Sequence, residues 1–219
     1  LSVNAGEIFG VLGVEGNGQN EIETILSGQS GSYTGKVLIN GVPLFQKNQK
    51  NLESIHIAYI PSHREENGIV GLFSVTENFL LGLQRDLSYC NGIFHNIENI
   101  GVQVQSSIRN FELNPPDGSR EIGTLSGGNQ QKVVLSRELS RKPEVLFAFN
   151  PTRGIDIKTT RFIQEQIITL ADAGCAVLLF LSDIDEAKSL CSRIGILYDG
   201  AITKTVRADA ATEAELGLF

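Results

Sequence analysis

The sequence predicts an α/β fold, and three observations predict it. Residues 7–12 (EIFGVL) form an apolar run that leads through the glycine-rich stretch 13–20 (GVEGNGQN) into a helical pattern at 21–26. Strand, glycine loop and helix in that order form a phosphate-binding arrangement. Residues 124–139 (TLSGGNQQKVVLSREL) form a polar glycine turn that runs straight into another helix. Residues 144–149 (EVLFAF) and 175–181 (CAVLLFL) are unbroken apolar runs of strand length, with an amphipathic helical pattern between them at 158–170.

Composition narrows the function classes. With 219 residues, 41% hydrophobic and 20% charged, the chain is one globular domain large enough to bury a core. Its 18 Lys and Arg against 25 Asp and Glu give a formal charge of −7, which argues against nucleic acid as the main ligand. No apolar run approaches the ~18 residues that span a bilayer, so any membrane role is expected to be peripheral. Cys90, Cys175 and Cys191 form no CxxC pair or metal-like spacing and read as structural. His56, His63 and His95 share no ligand pattern, and His63 reads as a solvated loop residue. The chain starts at Leu1 and has no methionine, so it is expected to be a piece of something longer.

In chain order, the loop after the first strand keeps Gly13, Gly16 and Gly18 of the pattern GxxxxGK[ST] but has Gln19 in place of Lys and Asn20 in place of Ser or Thr. With Glu15 and Asn17 these are the candidate phosphate-contacting residues of the first loop. A charge-assisted hydrogen bond contributes about 1.5–3 kcal/mol, so loss of the Lys weakens phosphate binding about 10–100-fold. Asn20 is a poor match for a hydroxyl that helps hold Mg²⁺. A turn that merely links strand to helix is the competing reading. Residues 33–44 then read as a hairpin about Asn40-Gly41, and 56–60 as a buried strand followed by a polar loop at 61–68. A helix is expected over 74–83, with Ser74 and Glu77 as a capping box, and 84–95 as a loop. Residues 97–111 form an amphipathic helix capped by Asn96 and closed by NPPDG at 114–118. Ser126 caps the helix of the second glycine turn, where Gly127 and Gly128 let a ligand approach unpaired amides and Asn129 follows. An ordinary capped surface helix is the alternative. A terminal hairpin at 194–198 and 201–206, turning at Asp199-Gly200, and a short helix from Thr212 complete the chain.

These motifs together resemble those of ABC ATPases. LSGGNQQK resembles the signature loop, GVEGNGQ the Walker A loop, and the strand at 144–149 with PTRGID the Walker B strand and D-loop. PSHREENG followed by SVTEN is similar to the simple-sugar importer branch, and the whole resembles the second, C-terminal ATP-binding domain of a sugar or nucleoside importer ATPase. The resemblance implies an ABC P-loop fold: a RecA-like mixed sheet core, an antiparallel β subdomain, and a helical subdomain at about 69–140 that contains the signature. It implies a single nucleotide-binding domain over 1–219, with the family's first strand and adenine-stacking aromatic upstream of Leu1.

The same resemblance exposes departures. Aligned on Pro151-Thr152, Phe149 takes the place of the Mg²⁺-binding Asp and Asn150 that of the catalytic Glu. Ser62 replaces the Gln of the loop after the strand. Ser182 stands where a His contacts the γ-phosphate, or Asp183 does if one residue is gapped. Asp156 is kept as the D-loop aspartate, expected at a dimer interface. The implied site therefore has no catalytic residue and no metal ligand of its own. Ser126, Gly127 and Gly128 are expected to complete an ATP site, with its Mg²⁺, whose P-loop belongs to another ABC domain, expected on the same chain. The isolated domain is expected to be inactive or nearly so as an ATPase. Transmembrane permease subunits and, indirectly, a substrate-binding protein are the implied partners, with no nucleic acid and a place on the cytoplasmic face of the membrane. A soluble ABC protein acting on ribosomes or DNA, and a nucleotide-free interaction module, are the rival readings.

Overall fold

The computed structural model describes residues 1–29, 33–44, 56–83, 90–91 and 94–216. In chain order the elements are β1 (Ile8–Leu12), α1 (Gln19–Leu26), β2 (Leu38–Ile39), β3 (Val42–Pro43), β4 (Ile57–Ile60), α2 (Arg64–Asn67), α3 (Val75–Leu80), β5 (Cys90–Asn91), β6 (Phe94–His95), α4 (Ile97–Asn110), α5 (Gly127–Leu139), β7 (Val145–Phe149), α6 (Ile157–Asp172), β8 (Ala176–Leu181), α7 (Ile184–Leu190), β9 (Arg193–Tyr198), β10 (Ala201–Arg207) and α8 (Glu213–Leu216). The chain divides into two compact units. One comprises Leu1–Tyr59, Lys142–Asn150 and Gln164–Phe219, and the other Ile60–Arg141 and Pro151–Ile163.

The first unit is organised by a six-stranded sheet of order β10-β9-β1-β8-β7-β4. β1 lies parallel to both β8 and β9, β7 lies parallel to β8, and β10 closes the edge antiparallel to β9. Parallel central strands are covered on both faces, which is why 7–12, 144–149 and 175–181 carry apolar residues without alternation. Phe9, Val11, Phe147, Phe149, Leu178, Phe180 and Leu197 form the core cluster on this sheet. Because β1, β7 and β8 run the same way, the loop 13–18, Asn150 and Ser182 leave the sheet at a common edge. In open α/β sheets ligands bind outside such carboxyl ends.

Local chemistry sets the element ends. α1 begins at Gln19, two residues earlier than the periodicity predicts, because Gly18 at φ 109° turns the chain directly into the helix. β2 and β3 pair about Asn40 and Gly41, which both take positive φ as a two-residue hairpin turn requires. The terminal hairpin forms as expected, with a register irregularity between Ile202 and Lys204.

The second unit is mainly helical, and α3 packs on both α4 and α5. α5 is buried along much of its length, including Gln130, Gln131, Lys132, Ser136 and Arg137. Such polar groups need partners. Arg137 Nη1 donates to Gly68 O (3.0 Å) and Asn78 O (3.2 Å), and Lys132 Nζ donates to Glu112 O (3.0 Å) while lying 4.7 Å from the centre of the Phe162 ring. Burial lowers the Lys132 pKa.

Three expectations are corrected here. Residues 61–68 are not all loop, since Arg64–Asn67 make one helical turn that lacks the apolar periodicity a sequence reading needs. The helix from Ser74 stops at Leu80, because Leu81 leaves helical conformation and Gly82 takes φ 78°. Within 84–95, Cys90–Asn91 and Phe94–His95 pair as a two-residue antiparallel ladder, too short to leave a period, while 84–89 and 92–93 lie outside the described residues. Among the described residues no helix is long and apolar enough to cross a membrane.

Candidate functional site

The glycine loop after β1 is pinned from outside and filled from within. Asp199 N donates to Asn17 Oδ1 (3.2 Å) and Gly200 N to Asn17 O (3.0 Å), so the turn between β9 and β10 fixes the middle of the loop. A side chain at Gly18 would meet Gly200 Cα at 3.2 Å, and one at Gly13 would meet Leu197 O at 2.8 Å. At φ 95°, Gly16 favours glycine on conformational grounds. Gln19 is buried, and its Nε2 donates to Gly13 O at 2.6 Å. The Gln19 amide thus folds onto the loop's own carbonyl. Asn20 is exposed in the first turn of α1 and accepts Thr24 Oγ1 at its backbone carbonyl, while Glu15 is exposed.

At the ends of β7 and β8, Phe149 is 1% exposed. Its ring stacks on Phe180 at 4.3 Å and meets Tyr59 edge-on at 6.0 Å. Tyr59 in turn donates to Glu23 Oε1 at 2.7 Å, and burial first, then this carboxylate, pushes the phenol pKa up. Asn150 takes φ 44°, its N–H bonded to Phe180 O, and its Oδ1 accepts Ser182 Oγ at 3.1 Å. Two neutral groups therefore face each other, and neither accepts a proton from water at neutral pH. Asp183 is committed elsewhere, since its Oδ1 caps α7 by accepting Glu186 N at 2.8 Å. Among the described residues no group of three or more His, Cys, Asp or Glu is placed to hold a metal ion. Cys175 and Cys191 are buried free thiols, both pushed up to about 12 first by burial, which keeps them from acting as nucleophiles.

In the second unit Ser126 caps α5, and Asn129 Nδ2 donates to Ser126 Oγ at 2.9 Å while Asn129 Oδ1 accepts Asn114 N at 2.9 Å. Gly127 follows the cap, and a side chain at Gly128 would press on its neighbours. A Cβ there would meet Thr159 Oγ1 at 3.0 Å and Asp156 Oδ2 at 3.2 Å. Asp156 accepts Thr159 N (3.0 Å) and Thr159 Oγ1 (2.8 Å), bonds that hold its carboxyl below the usual range. The glycine turn and the aspartate of PTRGID thus meet within this unit.

Two residues escaped the sequence reading. Asn78 is fully buried and organises 70–74, accepting Val70 N (2.8 Å) and donating to Val70 O, Phe73 O and Ser74 O. A polar residue on the buried spacing of Val75 and Phe79 was its only signal. Arg64 touches Gln130 and Arg153, contacts 66 and 89 residues away, for which a single sequence carries no signal.

Comparisons with known proteins agree in kind. The family profile described as "ABC transporter" matches residues 1–153. The guanosine import ATP-binding protein NupO of Bacillus subtilis (strain 168) is 36% identical over 220 residues, covering 100% of this chain and 43% of that protein. The arabinose import ATP-binding protein AraG of Pseudomonas syringae pv. tomato is 36% identical over 217 residues, covering 99% and 42%. The chain thus spans less than half the length of these curated relatives. Among solved structures, the ATP-binding cassette MJ0796, in a dimeric post-hydrolysis state bound to ADP and Pi, superposes with TM-score 0.79 at 23% identity, covering 96% of this chain and 89% of that one. An ATP-binding subunit of an ABC transporter superposes with TM-score 0.76 at 20% identity, covering 100% and 89%. The fold shared with these cassettes is a mixed sheet of parallel strands with an antiparallel β part and helices.

Proposed function

We propose, from the premise that this chain belongs to the ABC transporter family, that it is an energy-coupling ATP-binding domain of an uptake transporter for a sugar, nucleoside or similar small metabolite. Its own Walker site does not hydrolyse ATP. Its signature turn, Ser126 to Asn129, completes the ATP site of a second ABC domain on the same polypeptide. Relatives whose names describe import ATP-binding proteins, and of which this chain spans less than half, support both the import role and the second domain.

One observation carries the reading. At the carboxyl ends of β7 and β8 lie a core aromatic, Phe149, and a neutral amide–hydroxyl pair, Asn150 and Ser182, and alignment of the motifs reads these as the positions of a metal ligand, a general base and a γ-phosphate contact. Mg²⁺ does not fit this chain's own site, because Phe149 offers no oxygen and the Gln19 amide is turned onto Gly13 O. The amides of the glycine loop, with Gly13, Glu15, Gly16, Asn17, Gly18, Gln19 and Asn20, and those at the α5 N-terminus, with Ser126, Gly127, Gly128, Asn129 and Asp156, are the candidate phosphate contacts. Mg²⁺ and the catalytic carboxylate then belong to the partner domain's half of the shared site.

ATP binding closes the two domains, residues 61–74 pass that closure to membrane permease subunits, and hydrolysis at the partner's P-loop resets them. A substrate-binding protein delivers the solute on the far side. The domain sits peripherally on the cytoplasmic face of the membrane. Gly127→Asp in the full-length chain is the test: turnover is expected to be lost although this domain's own P-loop is already impaired. Unchanged turnover would falsify the shared-site reading.

The hydrogen bond from Gln19 to Gly13 O favours one second reading, an interaction module without nucleotide. Titration with an ATP analogue, with and without Mg²⁺, separates the two. Binding that ignores Mg²⁺ supports the first reading, and no binding at all supports the second.

A further inference from the structure

We infer that Arg64 is a positioning residue that ties the loop after β4 to the signature turn and to residues 151–156, fixing the turn in the orientation in which its amides are offered. The inference rests on the shared-site reading and adds a residue to it. Arg64 opens α2. Its guanidinium donates from Nε to Gln130 Oε1 at 3.3 Å and from Nη1 to Arg153 O at 3.4 Å, and a side chain at Gly127 would run into its Nη2 end. Gln130 is itself buried, and its Nε2 donates to Ile122 O (3.3 Å) and Leu125 O (3.2 Å). Arg64, Gln130 and the backbone leading into Ser126 therefore form one hydrogen-bonded chain. Three segments distant in sequence meet at a single planar cation.

Stability alone gives a poor account of a cation here. A helix N-terminus carries about half a positive charge, so a guanidinium beside Gly127 is repelled by α5. The carboxylate paired with it, Glu65 at 4.0 Å, is 74% exposed, and a pair so exposed offsets little of that repulsion. An apolar side chain of similar length would cover Gly127 without the repulsion. What arginine adds over methionine or lysine is a rigid fork that reaches two acceptors on different segments at once.

The experiment uses the full-length protein assembled with its membrane subunits. ATP turnover and thermal unfolding are measured for Arg64→Met, Arg64→Lys and a reference variant, Ser126→Arg, placed at an exposed position of the turn itself. Both Arg64 variants are expected to lose about 10–100-fold in kcat, the size of effect that misplacing a reacting group produces. KM for ATP stays close to wild type, since the P-loop in use is on the other domain. The unfolding midpoint of Arg64→Met is unchanged or raised. Turnover within about twofold of wild type in Arg64→Met, full rescue by Lys, or a loss that only tracks a fall in the midpoint would each overturn the inference. If Ser126→Arg abolishes turnover while Arg64→Met does not, this inference alone fails. If Ser126→Arg leaves turnover intact, the shared-site reading fails and takes Arg64's role with it.

Discussion

Phe149 and Gln19 define what this site does at the scale of single residues. Phe149 is a core side chain whose ring is stacked on Phe180, so its replacement is a packing event before it is a chemical one. Phe149→Ala is expected to lower the free energy of unfolding by about 3–5 kcal/mol. Urea denaturation measures this, and a loss under about 1 kcal/mol would take Phe149 out of the core. An aspartate at 149 would bury a carboxylate as well, which costs more than the cavity. Gln19 is different, because its amide bonds the loop carbonyl of Gly13 and takes no part in the core cluster. Gln19→Lys is expected to tighten binding of a non-hydrolysable ATP analogue about 10–100-fold by calorimetry. Affinity that does not move would mean the first loop holds no phosphate. No hydrolysis is expected to follow, since Asn150 and Ser182 still offer no base.

Elements were legible in the sequence wherever one periodic signal or one capping motif specifies them. The apolar runs of β1, β7 and β8, the Ser74–Glu77 capping box and the caps at Asn96 and Ser126 all form as read. What escaped the sequence was set by contacts far along the chain or by turns too short to repeat. α2 is a single polar turn, and β5 with β6 is a two-residue ladder. The site follows the same division. Gln19, Asn150 and Ser182 could each be named from the sequence, whereas the Asn150–Ser182 bond needed the sheet to bring the strand ends together and the fold-back of Gln19 onto Gly13 O needed the loop's conformation. Of the two residues the motif alignment left open, Asp183 caps α7 while Ser182 bonds Asn150. At the C-terminal end, Lys204 Nζ bonds Glu215 Oε1 at 2.7 Å and, with Thr212, holds that carboxyl down at about 2 against an ordinary 4.5. A depressed pKa stabilises the folded form fully above the unfolded value. The attachment of α8 to β10 is therefore expected to weaken as pH falls from 4.5 towards about 2. Hydrogen exchange at 208–216 reports it, and protection that stays flat across that window would count against the latch.

At the scale of the whole molecule, we propose that the charged half of ATP chemistry belongs to a neighbouring domain and that this one has a supporting role. The chain belongs to the ABC transporter family and spans less than half the length of its curated relatives. The most direct test is ATP turnover by the purified chain alone with saturating magnesium nucleotide. The account predicts a rate indistinguishable from buffer, unchanged by Asn150→Ala. Steady hydrolysis that scales with protein concentration would contradict it.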